Sequence, residues 1–390
     1  MKSSIYMDAH ATTPVDPRVL EEMLPYFTER FGNAASRNHA YGWEAEEAVD
    51  AAREKVATAI GAEAKEIIWT SGATESDNLA LIGAAEMAPA GRDHLIVSTI
   101  EHKAILDTAA HLERRGFRVS CAPAESTGLV DLDKLASLLN EKTFLVSIMT
   151  ANNEVGTIQP IAEIARLVHD RSAALFHTDA VQAIGNLAVS VREAGIDLLS
   201  LSGHKVYGPK GVGALFVRRR PLVRLAPLLH GGGHERGMRS GTLNVPAIVG
   251  VGKALEIAMQ ELDANRRHAA SLRDRLREGI FAQLDGVFLN GHPVLRLPNN
   301  LHLSFARVEA EDLLREIPGI AVSTGAACSS ASVEPSHVMS ALGLGTDRAQ
   351  SSIRFGITRF NTEAEVDVVI DRIVQGVRKL RALAVQSEAS

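Results

Sequence analysis

The chain has 390 residues, 46% hydrophobic content and a formal net charge of −6. That length suffices for two domains with cores of their own, and the charge excludes a nucleic-acid footprint. No stretch reaches the roughly 18 continuous apolar residues of a membrane span, and the start, MKSSIYMDAH, carries neither an apolar signal core nor a twin-arginine pattern, so the expected location is the cytoplasm.

Residues 5–14, IYMDAHATTP, read as a short extended start ending in a turn at Pro14. A helix is expected over 17–27, a Gly/Asn/Ser-rich loop over 31–42, and a second helix over 43–60. That second helix places Ala48, Ala52, Val56 and Ile60 on one face, and Gly61 stops it. A strand–helix rhythm follows. Strands are expected at 66–70, 94–99, 118–122, 143–149, 175–179, 198–201 and 212–217, with helices at 74–85, 102–115 and 161–170. The alternation predicts a mostly parallel sheet covered on both faces, with ligands beyond the carboxyl ends of its strands. One helical tract is expected over 246–284, then strands at 300–305 and 352–357. The last helix repeats Val366, Val369, Ile370, Ile373, Val374, Val377 and Leu380 at helical spacing, and Thr362 and Glu365 form a capping box at its start.

Several polar residues fall at those strand ends. Lys205 follows the apolar run 198–201 directly, beside Ser202 and His204. A lysine in a loop is ordinarily a solvated one; the alternative is a Schiff base with a carbonyl cofactor. Residues 71–76, SGATES, open a helix after a strand. They read as a plain cap, or as an anion seat at Gly72, Ala73 and Thr74. His102 begins the next helix, as a cap or as a ring to stack on an aromatic ligand. Asn153 stands in a turn whose chemistry it favours, or donates to a ring oxygen. Asp179, with Gln182 three residues on, is either a helix cap or a buried carboxylate needing a partner such as a pyridinium N–H.

The segment 230–242, HGGGHERGMRSGT, offers His230 and His234 without a carboxylate or cysteine cluster to complete a metal set; glycines with Arg239 and Thr242 suit phosphate contact or a reach across a subunit interface. The two cysteines are too few for a disulfide framework or an all-protein zinc site. Cys328 lies in the small-residue stretch STGAACSSASVEPS, the setting of an accessible thiol. Cys121, in RVSCA, reads as buried and inert.

Taken together, GATESDNLA, EHKA, ANNEVGT, HTDAVQ, SGHKVYGPKGVGAL, GGGHERGMRSGT, ACSSASVEPSHV and SSIRFGITRF, in this order, resemble the cysteine desulfurases. These are class V enzymes of the aspartate-aminotransferase fold. Within the family the Cys328 stretch is similar to the housekeeping and nitrogen-fixation group that supplies iron–sulfur assembly. The resemblance runs from the ATTP turn to the final helix.

The resemblance implies an α/β chain of the fold type I pyridoxal-phosphate class. It implies a large cofactor-binding domain over 15–255 and a smaller α+β domain formed by 1–14 and 256–390, which carries the Cys328 loop. It implies pyridoxal 5′-phosphate on Lys205, Asp179 at the pyridine nitrogen, His102 stacked on the ring, and Asn153 and Gln182 near the ring hydroxyl. Phosphate contacts would come from Ala73, Thr74, Ser202 and His204, with Thr242 supplied by the other subunit of a homodimer. Asn153 and Arg354 would meet the substrate, Arg354 holding its carboxylate. Lys205, His102 and the nucleophile Cys328 would be catalytic. L-cysteine would become L-alanine, with a persulfide on Cys328 for a sulfur-acceptor protein such as an iron–sulfur scaffold. No resident metal is expected, although Cys328 could briefly ligate a cluster with that partner. The other reading on the same fold is a selenocysteine lyase or another class V enzyme. Ala326 and Ser329 stand where relatives often have Ser and Thr. The chain ends near Ser390, where housekeeping members carry a longer tail that helps dock a scaffold.

Overall fold

The computed structural model describes residues 4–324 and 336–388. In chain order its strands are β1 (Ile5–Tyr6), β2 (Ile67–Thr70), β3 (His94–Ser98), β4 (Arg118–Ala122), β5 (Thr143–Ser147), β6 (Leu175–Asp179), β7 (Leu198–Ser202), β8 (Gly213–Val217), β9 (Val287–Leu289), β10 (Asn300–Phe305), β11 (Ile320–Ala321) and β12 (Ser352–Gly356). Seven strands form the main sheet in the order β2-β8-β7-β6-β5-β3-β4. The run β7-β6-β5-β3-β4 is parallel, and β8 is antiparallel to both β2 and β7. The mostly parallel sheet expected from the sequence is thus present.

Successive residues of a strand point to opposite faces, and the core divides accordingly. Trp69, Phe176, Leu199, Leu201 and Phe216 pack on one face, with Val56 and Leu255 from the covering helices. Ile68, Leu95, Leu198, Leu215 and Val217 pack on the other, with Leu79 and Leu112. Both faces are dry, which is why β5 and β7 read as continuous apolar or small-residue runs with every residue buried.

A second hydrophobic cluster joins Leu272, Leu276, Leu303, Phe305, Phe355, Val369 and Val377, and it also takes in Met7. Its sheet is β12-β10-β9. The chain's beginning is bound here: β1 pairs in parallel with β11, and the Ala9 N–H donates to Gly356 O at 3.0 Å. The final helix, Glu363–Glu388, opens with the expected capping box, the Thr362 N–H donating to Glu365 Oε2 at 3.0 Å and the Glu365 N–H to Thr362 Oγ1 at 3.3 Å.

Three local expectations need correction. The helix expected over 17–27 is two, Pro17–Met23 and Pro25–Thr28, because Pro25 has no N–H to continue the ladder. The tract 246–284 is also two helices, Val245–Gln260 and Leu262–Phe281, meeting at Glu261. Cys121 is exposed, not buried: β4 is the outermost strand of the main sheet, and among the described residues no strand pairs along its outer side.

Candidate active site

A cavity of about 480 Å³ opens beyond the carboxyl ends of β5, β6 and β7. Ala73, Thr74, His102, Asn153, Asp179, Gln182, Ser202, His204, Lys205 and Arg354 all line it. Sequence positions spread over 280 residues therefore converge on one space, as expected where strands of an open α/β sheet end.

Lys205 closes a short 3-10 turn, Gly203–Lys205, directly after β7. The turn packs too closely for any side chain at 203: a Cβ there would lie 2.6 Å from Val251 Cγ2 and 2.9 Å from Pro209 O. The ammonium donates to the carbonyl oxygen of His10 and, at 2.8 Å, to that of Ala11. The Lys205 amine is thus held by backbone carbonyls of His10 and Ala11.

Asp179 ends β6 and is buried, with Oδ1 accepting the Val181 N–H at 2.9 Å. Burial raises its carboxyl above the usual range. Behind it stands Asp77, fully buried, held well above the carboxylate range by burial and then by repulsion from Asp179. Glu101 completes the group. Its Oε1 accepts from Ser98 Oγ at 2.5 Å and from the Met149 N–H at 2.8 Å, and burial pushes it up to about 8. His177 brings no compensating charge. It lies between Ser147 Oγ at 2.8 Å and Ser200 Oγ at 3.0 Å, and burial lowers it to about 3. Lys205 and His102 act against the rise at Asp179, but burial outweighs them, and the three clustered carboxyls leave the cavity end of Asp179 suited to a protonated nitrogen.

The opposite end suits an anion. The helix Ala73–Glu86 begins at Gly72, whose φ of 149° favours glycine, and no side chain caps it. The plain Ser/Thr cap allowed by the sequence is therefore absent, and the helix N-terminus faces the cavity. Glu75 turns back instead, accepting the Ser71 N–H at 2.7 Å and Arg239 Nε at 2.9 Å. His204 lies 3.1 Å from Thr12 Oγ1, and burial, followed by Lys205 and Lys210, lowers it to about 4.

His102 is a helix cap, one of its two sequence readings, and also a cavity residue. Its Nδ1 accepts the Ala104 N–H at 3.1 Å as a helix cap, while the ring lines the cavity. Arg354 comes from β12 and is 2% exposed. It donates to Asp8 Oδ1 at 2.9 Å and to the backbone oxygen of Asn153 at 3.0 Å. Gln182 is not idle either: its Oε1 lies 2.8 Å from His10 Nδ1.

Thr242 is exposed and does not line the cavity of its own chain. Its loop is anchored by a buried pair in which Arg53 donates to both Glu235 oxygens, at 2.8 and 2.9 Å, and the Trp69 N–H adds a third bond at 2.8 Å. Cys328 lies outside the described residues, as do Ala326 and Ser329. Sequence reasoning missed His10, Thr12 and Asp77 as cavity residues. The run DAHATTP was the available signal for the first two, and the buried acid inside TESDNLA for the third.

Comparison with known proteins now adds to the geometry. The family described as aminotransferase class-V matches residues 5–369. A relative from Anaeromyxobacter sp. (strain Fw109-5), named cysteine desulfurase IscS, is 57% identical over 98% of this chain and 95% of its own. A solved structure described as a NifS-like protein is 42% identical, with a TM-score of 0.89 over 95% of this chain and 98% of that one. Another, described as SspA in complex with cysteine, is 36% identical, with a TM-score of 0.81 over 92% and 100% of the two chains.

Proposed function

The chain belongs to the aminotransferase class-V family and within it to the cysteine desulfurases, and from that premise we propose how its residues act on L-cysteine. The family depends in general on pyridoxal phosphate. The residues present fit that group: an amine at Lys205, a buried carboxyl at Asp179 that burial holds above its usual range, an uncapped helix N-terminus at Ala73 and Thr74, and an imidazole at His102.

Lys205 would hold the cofactor's carbonyl carbon. Asp179 would keep its ring nitrogen protonated, His102 would cover the ring, and Asn153 and Gln182 would meet the ring hydroxyl. Ala73, Thr74, Ser202 and His204 would bind the phosphate, with Thr242 from a second copy in a homodimer. When bound, the cofactor supplies an electron sink for the substrate Cα. Arg354 orients the substrate carboxylate through its guanidinium fork. Lys205 Nζ moves the Cα proton. The Cys328 thiolate forms a bond to the substrate sulfur as the carbon–sulfur bond breaks, leaving L-alanine and a persulfide. An acceptor protein, such as an iron–sulfur scaffold, then takes that sulfur. The same reading assigns 15–255 to the cofactor domain and 1–14 with 256–390 to the smaller one; the separate hydrophobic clusters support this division.

The observation that carries the reading is the convergence of Lys205, Asp179 and Arg354 on one cavity. The test compares alanine and sulfide release from L-cysteine, with a reductant, for the native enzyme and Cys328→Ala. Equal amounts of both products, lost in the variant, are expected. Release by Cys328→Ala at the native rate would overturn the role of Cys328.

A further inference from the structure

The turn that carries Asn153 is held in an unusual way. From its own side, Asn152 Oδ1 accepts the N–H groups of Glu154 and Val155, both at 2.9 Å. From the other side, four successive carbonyls are each bonded by a residue of the segment 296–354. Asn153 O accepts from Arg354 at 3.0 Å, and Glu154 O from Asn300 Nδ2 at 3.0 Å. Val155 O accepts from Arg296 at 2.8 Å, and Gly156 O from the Leu297 N–H at 2.9 Å. The fit leaves no slack. Gly156 has a φ of 74°, and any Cβ there would run into the Asn300 side chain.

Arg296 is the unexpected member. It is 6% exposed and lies outside the cavity lining. No described carboxylate pairs with it. Its guanidinium instead donates to Val155 O, to Asn300 Oδ1 at 2.9 Å, to His292 O at 3.2 Å and to Asn290 O. Burial, then Arg273 and Arg277, lower it to about 9. A buried cation without a counter-ion is costly, and only a planar fork with five N–H donors can satisfy this many carbonyls at once. Arg296 also bonds Asn300 Oδ1 while Asn300 Nδ2 bonds Glu154 O, so one guanidinium fixes two successive carbonyls, one directly and one through an amide.

We propose that Arg296 is a positioning residue for the reaction: through Asn300 and the carbonyls of Glu154 and Val155 it fixes where Asn153 meets the cofactor ring. This rests on the proposed placement of Asn153 at the ring hydroxyl. Arg354 grips the same turn one residue earlier, so the substrate-carboxylate site and the ring contact share one rigid piece of backbone.

The test is a double-mutant cycle on the holoenzyme, reading the pH midpoint of the cofactor's visible absorbance band for the native protein, Asn153→Ala, Arg296→Gln and the double variant. Arg296→Gln is expected to move the midpoint in the same direction as Asn153→Ala, by roughly half a pH unit, about threefold in the protonation equilibrium. The double variant is expected to move no further than Asn153→Ala. Arg296→Lys, which keeps charge but not the fork, is expected to behave like Arg296→Gln. If Arg296→Gln does not fold, Asn300→Ala tests the same clamp and is expected to give the same shift. A native midpoint in the folded variant, or additive shifts in the double, would overturn the inference. No shift in Asn153→Ala itself would instead sink the assignment of Asn153 to the ring, and the inference with it.

Discussion

Ser336 Oγ donates to Glu154 Oε2 at 2.5 Å, and both side chains are buried. The bond joins the turn beside the cavity to the first described residue after the Cys328 stretch. His337, next along, reaches the backbone oxygen of Glu101 at 2.9 Å. Val338 and Met339 pack with Ile100, Met149 and Val155. The segment beginning at Ser336 is therefore seated on the loops that follow β3 and β5.

Burial raises Glu154 to about 7. A carboxyl raised by folding stabilises the native state fully below its unfolded value and progressively less as pH rises through the folded one. Glu154→Gln removes that titration. Its stability relative to the native protein should therefore increase as pH rises from about 4.5 to about 7. Denaturant unfolding at several pH values checks this, and parallel curves for the two proteins would refute it.

Asp179 is also held above its ordinary range by burial. Asp179→Asn should stabilise the cofactor-free protein at pH 8, where the native side chain is driven to ionise in a dry site. The same change should lower turnover on the order of a hundredfold or more, as loss of a preorganised electrostatic partner does. Thermal unfolding of the apoprotein and steady-state rates of the loaded enzyme should move in opposite senses. Loss of both together would mean that Asp179 is a structural residue.

Arg354 is paired on one side and faces the cavity on the other. Arg354→Lys keeps the charge but loses the fork. The KM for L-cysteine should rise roughly tenfold, the size expected for one charge-assisted contact, with a smaller change in kcat. A fall in kcat at unchanged KM would contradict carboxylate binding.

Glu235→Ala should cost about 3–5 kcal/mol, because it leaves the buried Arg53 guanidinium with only the exposed Asp50 carboxylate and the Ile67 carbonyl. Chemical denaturation measures this. A loss below about 1 kcal/mol would show that water reaches Arg53 once its partner is gone.

Much of the site was legible because the local rules were obeyed. Asp179 ends one buried strand and Lys205 lies just past another, and in an α/β sheet that position is where ligands bind. Thr362 and Glu365 announced their helix through side-chain chemistry alone. What escaped was non-local. His10 and Thr12 reach the cavity because β1 pairs with β11, more than three hundred residues away in sequence, and nothing near His10 encodes that pairing. The exposure of Cys121 depends on β4 being an edge, a property of strand order and not of RVSCA. The break at Glu261 has neither Pro nor Gly to mark it, so the apolar periodicity ran through it unnoticed.

The carbonyls that aim Lys205 belong to His10 and Ala11, just after a strand whose partner is Ile320–Ala321. During vectorial synthesis these residues emerge well ahead of the strand that seats them. The amine cannot acquire its final aim until some three hundred further residues have emerged. A nascent chain halted before Ile320 would hold Lys205 without that seat, and is expected to release no sulfide. Fusions placed ahead of Ile5 should be felt at Lys205 more than their distance along the chain suggests.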